Sequence, residues 1–344
     1  MAGIEFIWLE PGHWGLTTAI YLFFAALGGG AYLAGLTAVG LESQRDQQIH
    51  REFARWAFLA GLGAVGVAGV AILSHLADPL AGLLFPLTLT NFGSWITRGT
   101  WILVSLGVIT ALQVLWFHFG ALATEATGAS AFLRALFVRA GVASPLDRLA
   151  DATRPTDGRY WVVGILGALP AIGTVYTGFE LATVPTVPLW NQPTLLPALF
   201  LASGVATGFA VALALTVAFE GVSNPLVATV GTIVGLALLV SAGLLWRLWE
   251  AVGTNPAGEA SVAALTTGPL QVPFAIGVVG IGASLIATPL LAWVAVGRGE
   301  TSTVRWLVRP GLVTALSLAV VGSFFLRYAL VLAAVKDPVV VVGL

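Results

Sequence analysis

The chain has 344 residues, of which 58% are hydrophobic and 9% charged, and its net charge is −1. Soluble domains carry roughly 25% charged residues, so this composition is that of a membrane protein. With no cysteine, the chain holds no disulfide, no thiolate-ligated iron–sulfur cluster and no c-type haem, and it has no basic patch to bind nucleic acid.

A helix needs about 20 apolar residues to cross a bilayer. In chain order the candidates are 14–40, 55–77, 100–124, 160–183, 194–219, 225–248, 269–296 and 309–333. The expected fold is therefore an all-α integral membrane protein with eight transmembrane helices. No Lys or Arg precedes Arg45, so the N-terminus lacks the basic region of a standard signal peptide. The first span carries Thr18 and Tyr21 near its start. The second ends on His75 and Asp78, and Arg98 stands at the entry to the third. Between the third and fourth spans, 125–159 contains "SAFLRALFVRAG", with basic and apolar residues at helical spacing. It reads as an amphipathic helix on the membrane surface or as a plain linker. The fourth span ends with Tyr176 and Glu180 in "TVYTGFELATVPTVPLWN". Pro170 and Pro289 are candidate kinks in the fourth and seventh spans.

Eight spans put both termini on one side. Eleven Lys and Arg residues then fall on the opposite side, against Arg98, Arg247, Arg327 and Lys336 on the terminal side. The positive-inside rule makes the terminal side the outer one. An internal similarity joins "YLFFAALGGGAYL" (21–33) to "LFLASGVATGFAV" (199–211), with Gly30 on Gly208 and Ala26 on Gly204. Two parallel repeats of four helices follow from it. The expected division is 1–124 with 160–190 as a first bundle, 125–159 as the cytoplasmic loop, and 191–344 as a second bundle.

Polar residues gather at the outer ends of the first four spans: Thr18, Tyr21, His75, Asp78, Arg98, Tyr176 and Glu180. The inner ends of the same spans show nothing comparable. His75 and Asp78 are three apart, and Tyr176 and Glu180 four apart, so each pair shares a helix face. Ionisable residues within a membrane cost several kcal/mol unless paired or hydrated, which makes them functional candidates by default. Phenols, a histidine and carboxylates both donate and accept protons. A neutral ring with two carbonyls, reached from lipid, fits them, and that describes a quinone. Tyr176 and His75 are the candidate donors to the carbonyls, and Asp78 and Glu180 the candidate proton acceptors. Arg98, Arg247, Glu250 and Arg327 read as structural charges that snorkel to the outer interface.

Several segments together resemble the NrfD/polysulfide reductase membrane-subunit family. They are "AIYLFFAALGGGAYLAG" (19–35), "HLADPLAG" (75–82), "NFGSWITRGTWIL" (91–103), "YTGFELATVPTVPLWN" (176–191) and "FFLRYALV" (324–331). The resemblance covers nearly the whole chain. It implies two four-helix bundles, with menaquinone or another quinone at the outer end of the first. It also implies an iron–sulfur electron-transfer subunit as partner and a molybdopterin catalytic subunit behind it. On that resemblance the protein is the quinone-binding membrane anchor of a respiratory oxidoreductase in a prokaryotic plasma membrane. It would exchange electrons between the quinone pool and its partner, be non-catalytic alone, and hold no haem. Tyr176 matches the family's quinone-contacting tyrosine and Asp78 an acidic residue near that pocket. Thr18 and Tyr21 stand where a structurally known type of member has an asparagine and a histidine. This is a departure, with Tyr21 retaining a donor and His13 lying just outside. The apolar segment "PLAGLLFPLTLTNFGSWI" (79–96) reads as a docking surface for the partner or as a loop dipping into the membrane.

Two other readings stand beside this one. A haem b anchor needs facing histidines at one depth, and of His13, His50, His75 and His118 only His13 and His75 qualify. A transporter needs a site near the midplane and paired helix breaks, whereas the charges here crowd the outer end. No continuous proton relay is visible in the second half, so no pumping by this protein alone is expected.

Overall fold

The computed structural model describes residues 15–41, 47–76, 78–125, 128–221, 225–299 and 301–337. His13 and Arg45 lie outside these residues, as does the side chain of His75. The described residues are helical and contain no strand. Eight helical segments among them are long and apolar enough to cross a membrane.

In order, α1 is Leu16–Leu41 and α2 is Gln47–His75. Two short helices follow, α3 (Pro79–Leu83) and α4 (Phe85–Thr88), before α5 (Trp95–His118). The segment 125–159 contains α6 (Gly128–Arg139) and α7 (Ala143–Thr153), so its expected helical spacing corresponds to real helix. Arg134 reaches Asp147 with both terminal nitrogens, at 3.0 and 3.2 Å, and joins α6 to α7. Asp147 and Asp151 also accept the backbone N–H groups of Gly120 and Ala121.

The fourth span is two helices, α8 (Asp157–Gly173) and α9 (Tyr176–Ala182). Pro170 lies in α8 and supplies no N–H, and the helix stops three residues later. A break at membrane depth leaves carbonyls that no water satisfies. Here Thr174 Oγ1 donates to the Ala171 carbonyl at 2.7 Å, and Thr177 Oγ1 to that of Thr174 at 2.9 Å. The second half holds α10 (Leu195–Glu220), α11 (Pro225–Val252), α12 (Pro256–Thr266), α13 (Gln271–Arg298) and α14 (Arg309–Leu332). Pro289 lies inside α13, which continues past it, and a π-helical turn at Val304–Val308 precedes α14.

Helix α1 packs on α2 and α10, and α10 packs on α11, α14 and α2, while α13 packs on α11 and α14. The contact of α1 with α10 is glycine on backbone. A Cβ on Gly30 would fall on the backbone of Gly204, and one on Gly208 would fall on that of Gly30 and Ala31. Gly204 in turn sits on Ala26. The positions that the internal similarity aligns therefore meet each other across this seam.

Two buried polar features lock the helices. Arg327 of α14, 2% exposed, donates to the Leu22 carbonyl at 2.6 Å, the Phe200 carbonyl at 3.0 Å and Ser203 Oγ at 2.6 Å. Its guanidinium also lies 4.1 Å from the Phe200 ring centre. The other feature corrects the expectation for the inner ends of the first spans. Helix α2 begins at Gln47, not near residue 55, and so carries Glu52 and Arg55 into the interior. Arg55 is paired with Glu52 and donates to the carbonyls of Phe117 at 2.9 Å and Leu122 at 2.6 Å. His118 Nε2 lies 3.2 Å from the Arg55 carbonyl. The guanidinium thus serves carbonyls that the C-terminus of α5 and the turn after it leave open.

Candidate functional site

The two turns at the end of the fourth span and the first turns of α1 and α5 converge on one small cavity. Its volume is about 130 Å³. Tyr21 enters from α1, Ile72 from α2, Phe85 from α4, Ile96, Gly99 and Thr100 from α5, and Tyr176 and Glu180 from α9; Leu76, just past α2, completes the lining. Two phenols and one carboxylate thus face a space whose remaining wall is apolar apart from Thr100, whose hydroxyl donates to the Ile96 carbonyl at 2.9 Å.

The break at Gly173–Tyr176 sets this geometry. It starts α9 on a new axis, and Tyr176 is its first residue. Tyr176 is 3% exposed and packs with Ala25, Ala68 and Leu103. Among the described residues its hydroxyl has no hydrogen-bond partner. One helical turn on, Glu180 accepts a hydrogen bond of 2.6 Å from the Tyr21 hydroxyl. This charge-assisted bond between the first and fourth spans compensates a carboxylate that would otherwise stand bare at membrane depth. Gly99 supplies the room, since a Cβ there would collide with the Tyr176 ring. Beside the cavity, Trp95 stacks on Phe179 with ring centres 4.8 Å apart and planes 6° from parallel. That stack fixes the start of α5 against α9.

The remaining expected site residues are placed as follows. Thr18 is buried one turn before Tyr21 and does not line the cavity. Asp78 is exposed, and its Oδ1 accepts the Leu80 N–H at 3.1 Å at the start of α3. His75 ends α2, with its side chain outside the described residues. Arg98 is exposed, lies over the Trp95 ring at 4.5 Å and donates from Nε to the Phe92 carbonyl. Arg247 and Glu250 pair at 2.8 Å on the surface of α11, whereas Arg327 is buried in the interior contacts described above. Sequence reasoning did not find Gly99, Thr100, Ile96 or Phe85. The small residue beside Arg98 in "SWITRGT" was the available signal, because a glycine inside a span marks close approach.

The segment 79–96 presents Leu80, Leu83, Leu84, Leu87 and Phe92 outward, each more than half exposed. Ile96, 58% exposed, belongs both to this surface and to the cavity wall. The cavity therefore borders the surface between α2 and α5.

A comparison over the full sequence gives this geometry its setting. Over 324 residues the sequence is 29% identical to the C subunit of the polysulfide reductase of Wolinella succinogenes, a match that spans 92% of this protein and 93% of that one. The polysulphide reductase NrfD family matches residues 9–337, so with its eight apolar helices this multi-pass membrane protein belongs to the NrfD polysulfide reductase family.

Proposed function

We propose that the protein is the quinone-reactive membrane anchor of a respiratory oxidoreductase, and that the cavity between α1, α2, α5 and α9 receives the quinone head group. The carrying observation is the pairing of Tyr21 with Glu180 beside Tyr176, a buried side chain whose hydroxyl has no partner among the described residues. Bound there, a quinone/quinol couple would exchange two electrons and two protons, taking them up as the dicarbonyl form and releasing them as the dihydroxy form. The residues fit such a ring: Tyr176 offers a donor with no competing partner, and the apolar wall accepts a ring face. Tyr176 donates to one carbonyl and so orients the ring. Tyr21 holds Glu180 in place, and Glu180 would take a proton from the quinol hydroxyl on oxidation or return one to the quinone oxygen on reduction. Asp78, exposed just past the end of α2, forms the proton exit, and His75 at the end of that helix remains the second candidate donor to the carbonyls.

Further parts of the proposal rest on the family and on charge. Electrons pass to or from an iron–sulfur subunit, with a molybdopterin subunit behind it. The apolar surface of α3 and α4 beside the cavity is the place for that subunit to dock, which keeps the transfer distance short. The membrane is a prokaryotic plasma membrane, with both termini on the outer side by the distribution of Lys and Arg. The protein divides into a first bundle (1–124 and 160–190), a surface segment (125–159) and a second bundle (191–344).

The test is binding of a quinol analogue to the purified protein, comparing wild type with Tyr176→Phe and Glu180→Gln. Loss of one hydrogen bond to a buried partner costs about 0.5–1.5 kcal/mol, or roughly two- to tenfold in affinity. Saturable binding weakened by both changes is expected. Binding that ignores both moves the quinone away from this cavity.

A further inference from the structure

A second cavity, of about 360 Å³, lies in the other half of the molecule. It opens between α11 and α13 and is floored by Leu326 of α14. Its lining comes from the end of α11 and the start of α13. By the alternation of the spans, it faces the same side of the membrane as the Tyr21–Glu180 cavity. Its chemistry differs. No titratable side chain lines it, and the Ser241 hydroxyl is already bound to the Ala237 carbonyl at 2.8 Å. Trp249 and Phe274 stack across one wall with ring centres 5.8 Å apart. At Gly282 a Cβ would enter open space, so the absence of a side chain there keeps the crevice wide.

The mouth is charged. Trp246, 67% exposed, lines the cavity and donates its indole N–H to Glu250 at 3.0 Å. Glu250 in turn holds Arg247 at 2.8 Å, with the side chains 47% and 71% exposed. A guanidinium and a carboxylate thus stand side by side where an apolar crevice meets the membrane surface. Their charges complement the phosphate and ammonium of a zwitterionic headgroup. Tryptophan at that level suits the boundary between acyl chains and headgroups.

We infer that this crevice binds one acyl chain of an ethanolamine phospholipid, with its phosphate at Arg247 and its ammonium at Glu250. The wall is smooth and without donors, so it accepts a hydrocarbon tail. The mouth selects the headgroup, because a primary ammonium donates hydrogen bonds to the Glu250 carboxylate whereas the quaternary ammonium of phosphatidylcholine has none to donate. This assignment does not depend on the quinone reading.

The test uses the full-length protein in phosphatidylcholine nanodiscs containing phosphatidylethanolamine with a photoreactive diazirine in its acyl tail. Crosslinks are mapped by peptide mass spectrometry. Saturable labelling is expected on 241–249 and 274–285, competed by unlabelled phosphatidylethanolamine and not by a quinone analogue. Gly282→Trp fills the crevice and should lower that labelling about tenfold, equivalent to about 1.4 kcal/mol. Val278→Trp does the same from another position, should the first variant fail to fold. Arg247→Gln with Glu250→Gln should keep the labelling by the acyl tail and abolish the preference over phosphatidylcholine. Labelling that never saturates and spreads evenly over lipid-facing helices overturns the inference. So does competition by the quinone analogue, which makes this a second quinone site, or α11–α13 crosslinks to a second copy of the protein in place of lipid.

Discussion

Replacing Gly99 by alanine adds one methyl group at the tightest point of the Tyr21–Glu180 cavity. The added carbon would overlap Tyr176 Cε2 and sit 2.7 Å from its Cζ and 2.8 Å from its Cδ2. Ordinary carbon contacts begin near 3.4 Å, so the nearest ring atom must recede by about 1.2 Å, the kind of overpacking that costs about 1–3 kcal/mol. Ala25, Ala68 and Leu103 pack against the ring, so the room left to it is the cavity itself. Against that cost, alanine in a helix is favoured over glycine by about 1 kcal/mol. The net loss of stability is therefore at most about 2 kcal/mol, and the protein should still fold. The hydroxyl, however, moves with the ring. Misplacing one donor forfeits about 0.5–1.5 kcal/mol of binding, or roughly two- to tenfold in the dissociation constant of a quinol analogue. The decisive assay is a double-mutant cycle. Gly99→Ala and Tyr176→Phe act on the same bond, so the double variant should bind no worse than the weaker single variant within experimental error. Additive losses, or a Gly99→Ala protein that binds like wild type while Tyr176→Phe does not, would sink the reasoning.

Other outcomes follow from separate contacts. Tyr21→Phe deletes the 2.6 Å bond to Glu180. Bonds to charged groups contribute about 1.5–3 kcal/mol, so quinol-dependent reduction of an electron acceptor should fall at least tenfold, and Tyr21→Phe turnover equal to wild type would remove Tyr21 from the site. Trp190→Phe strips the indole donor from the Leu330 carbonyl, 3.0 Å away in the last turn of α14. Leaving that buried acceptor open should cost about 1–3 kcal/mol, read as a lower unfolding temperature in detergent; an unchanged melt would show the bond to be dispensable. Outside the membrane, the Arg134 hydrogen bonds, aided by the Gly120 N–H, hold the Asp147 carboxyl below the usual carboxylate range. Its contribution to holding α6 against α7 is complete above an unfolded pKa of about 3.9 and is lost as pH falls through the lower folded value. The protection of the Gly120 amide, taken relative to its intrinsic exchange rate at each pH, should therefore fall below about pH 4 in wild type. In Asp147→Asn the protection should already be lower at neutral pH, and a pH-independent wild-type protection would refute the assignment.

The spans were legible because twenty-residue apolar runs have few alternatives in a protein with 9% charged residues. The pairing of Tyr176 with Glu180 on one face was legible from their spacing. That Tyr21 would reach Glu180 was visible only as a shared depth. The break after Pro170 was half legible. Proline announces a kink, but the threonines that absorb the freed carbonyls look like ordinary span residues. Glu52 and Arg55 were missed when the inner ends were expected to show nothing comparable, because an acid among arginines near a loop looks like solvated charge. Their spacing of three and the carbonyls awaiting them at the end of α5 become visible only when the helices are assembled. Arg327 was misplaced for the opposite reason. An arginine near a helix end suggests snorkelling, and nothing local in "FFLRYALV" reveals that carbonyls of α1 and α10 lie within its reach. In "VPLWN", Trp190 counted only toward the family resemblance, and the structure shows its indole closing the end of the last helix.

The glycine seam between α1 and α10 governs how anything reaches the cavity. Where two backbones touch, there are no side chains to change rotamer and no gap to widen, so one half cannot rock over the other without prising open its tightest contact. Arg327, gripping carbonyls of both helices, reinforces that union. Together these contacts oppose any sliding of α1 against α10. On the proposed quinone reading, traffic to the cavity would run sideways, from the bilayer, past Ile96 and beneath the short helices that follow α2. Those few exposed turns, not the eight long helices, would then set how fast the site exchanges its contents.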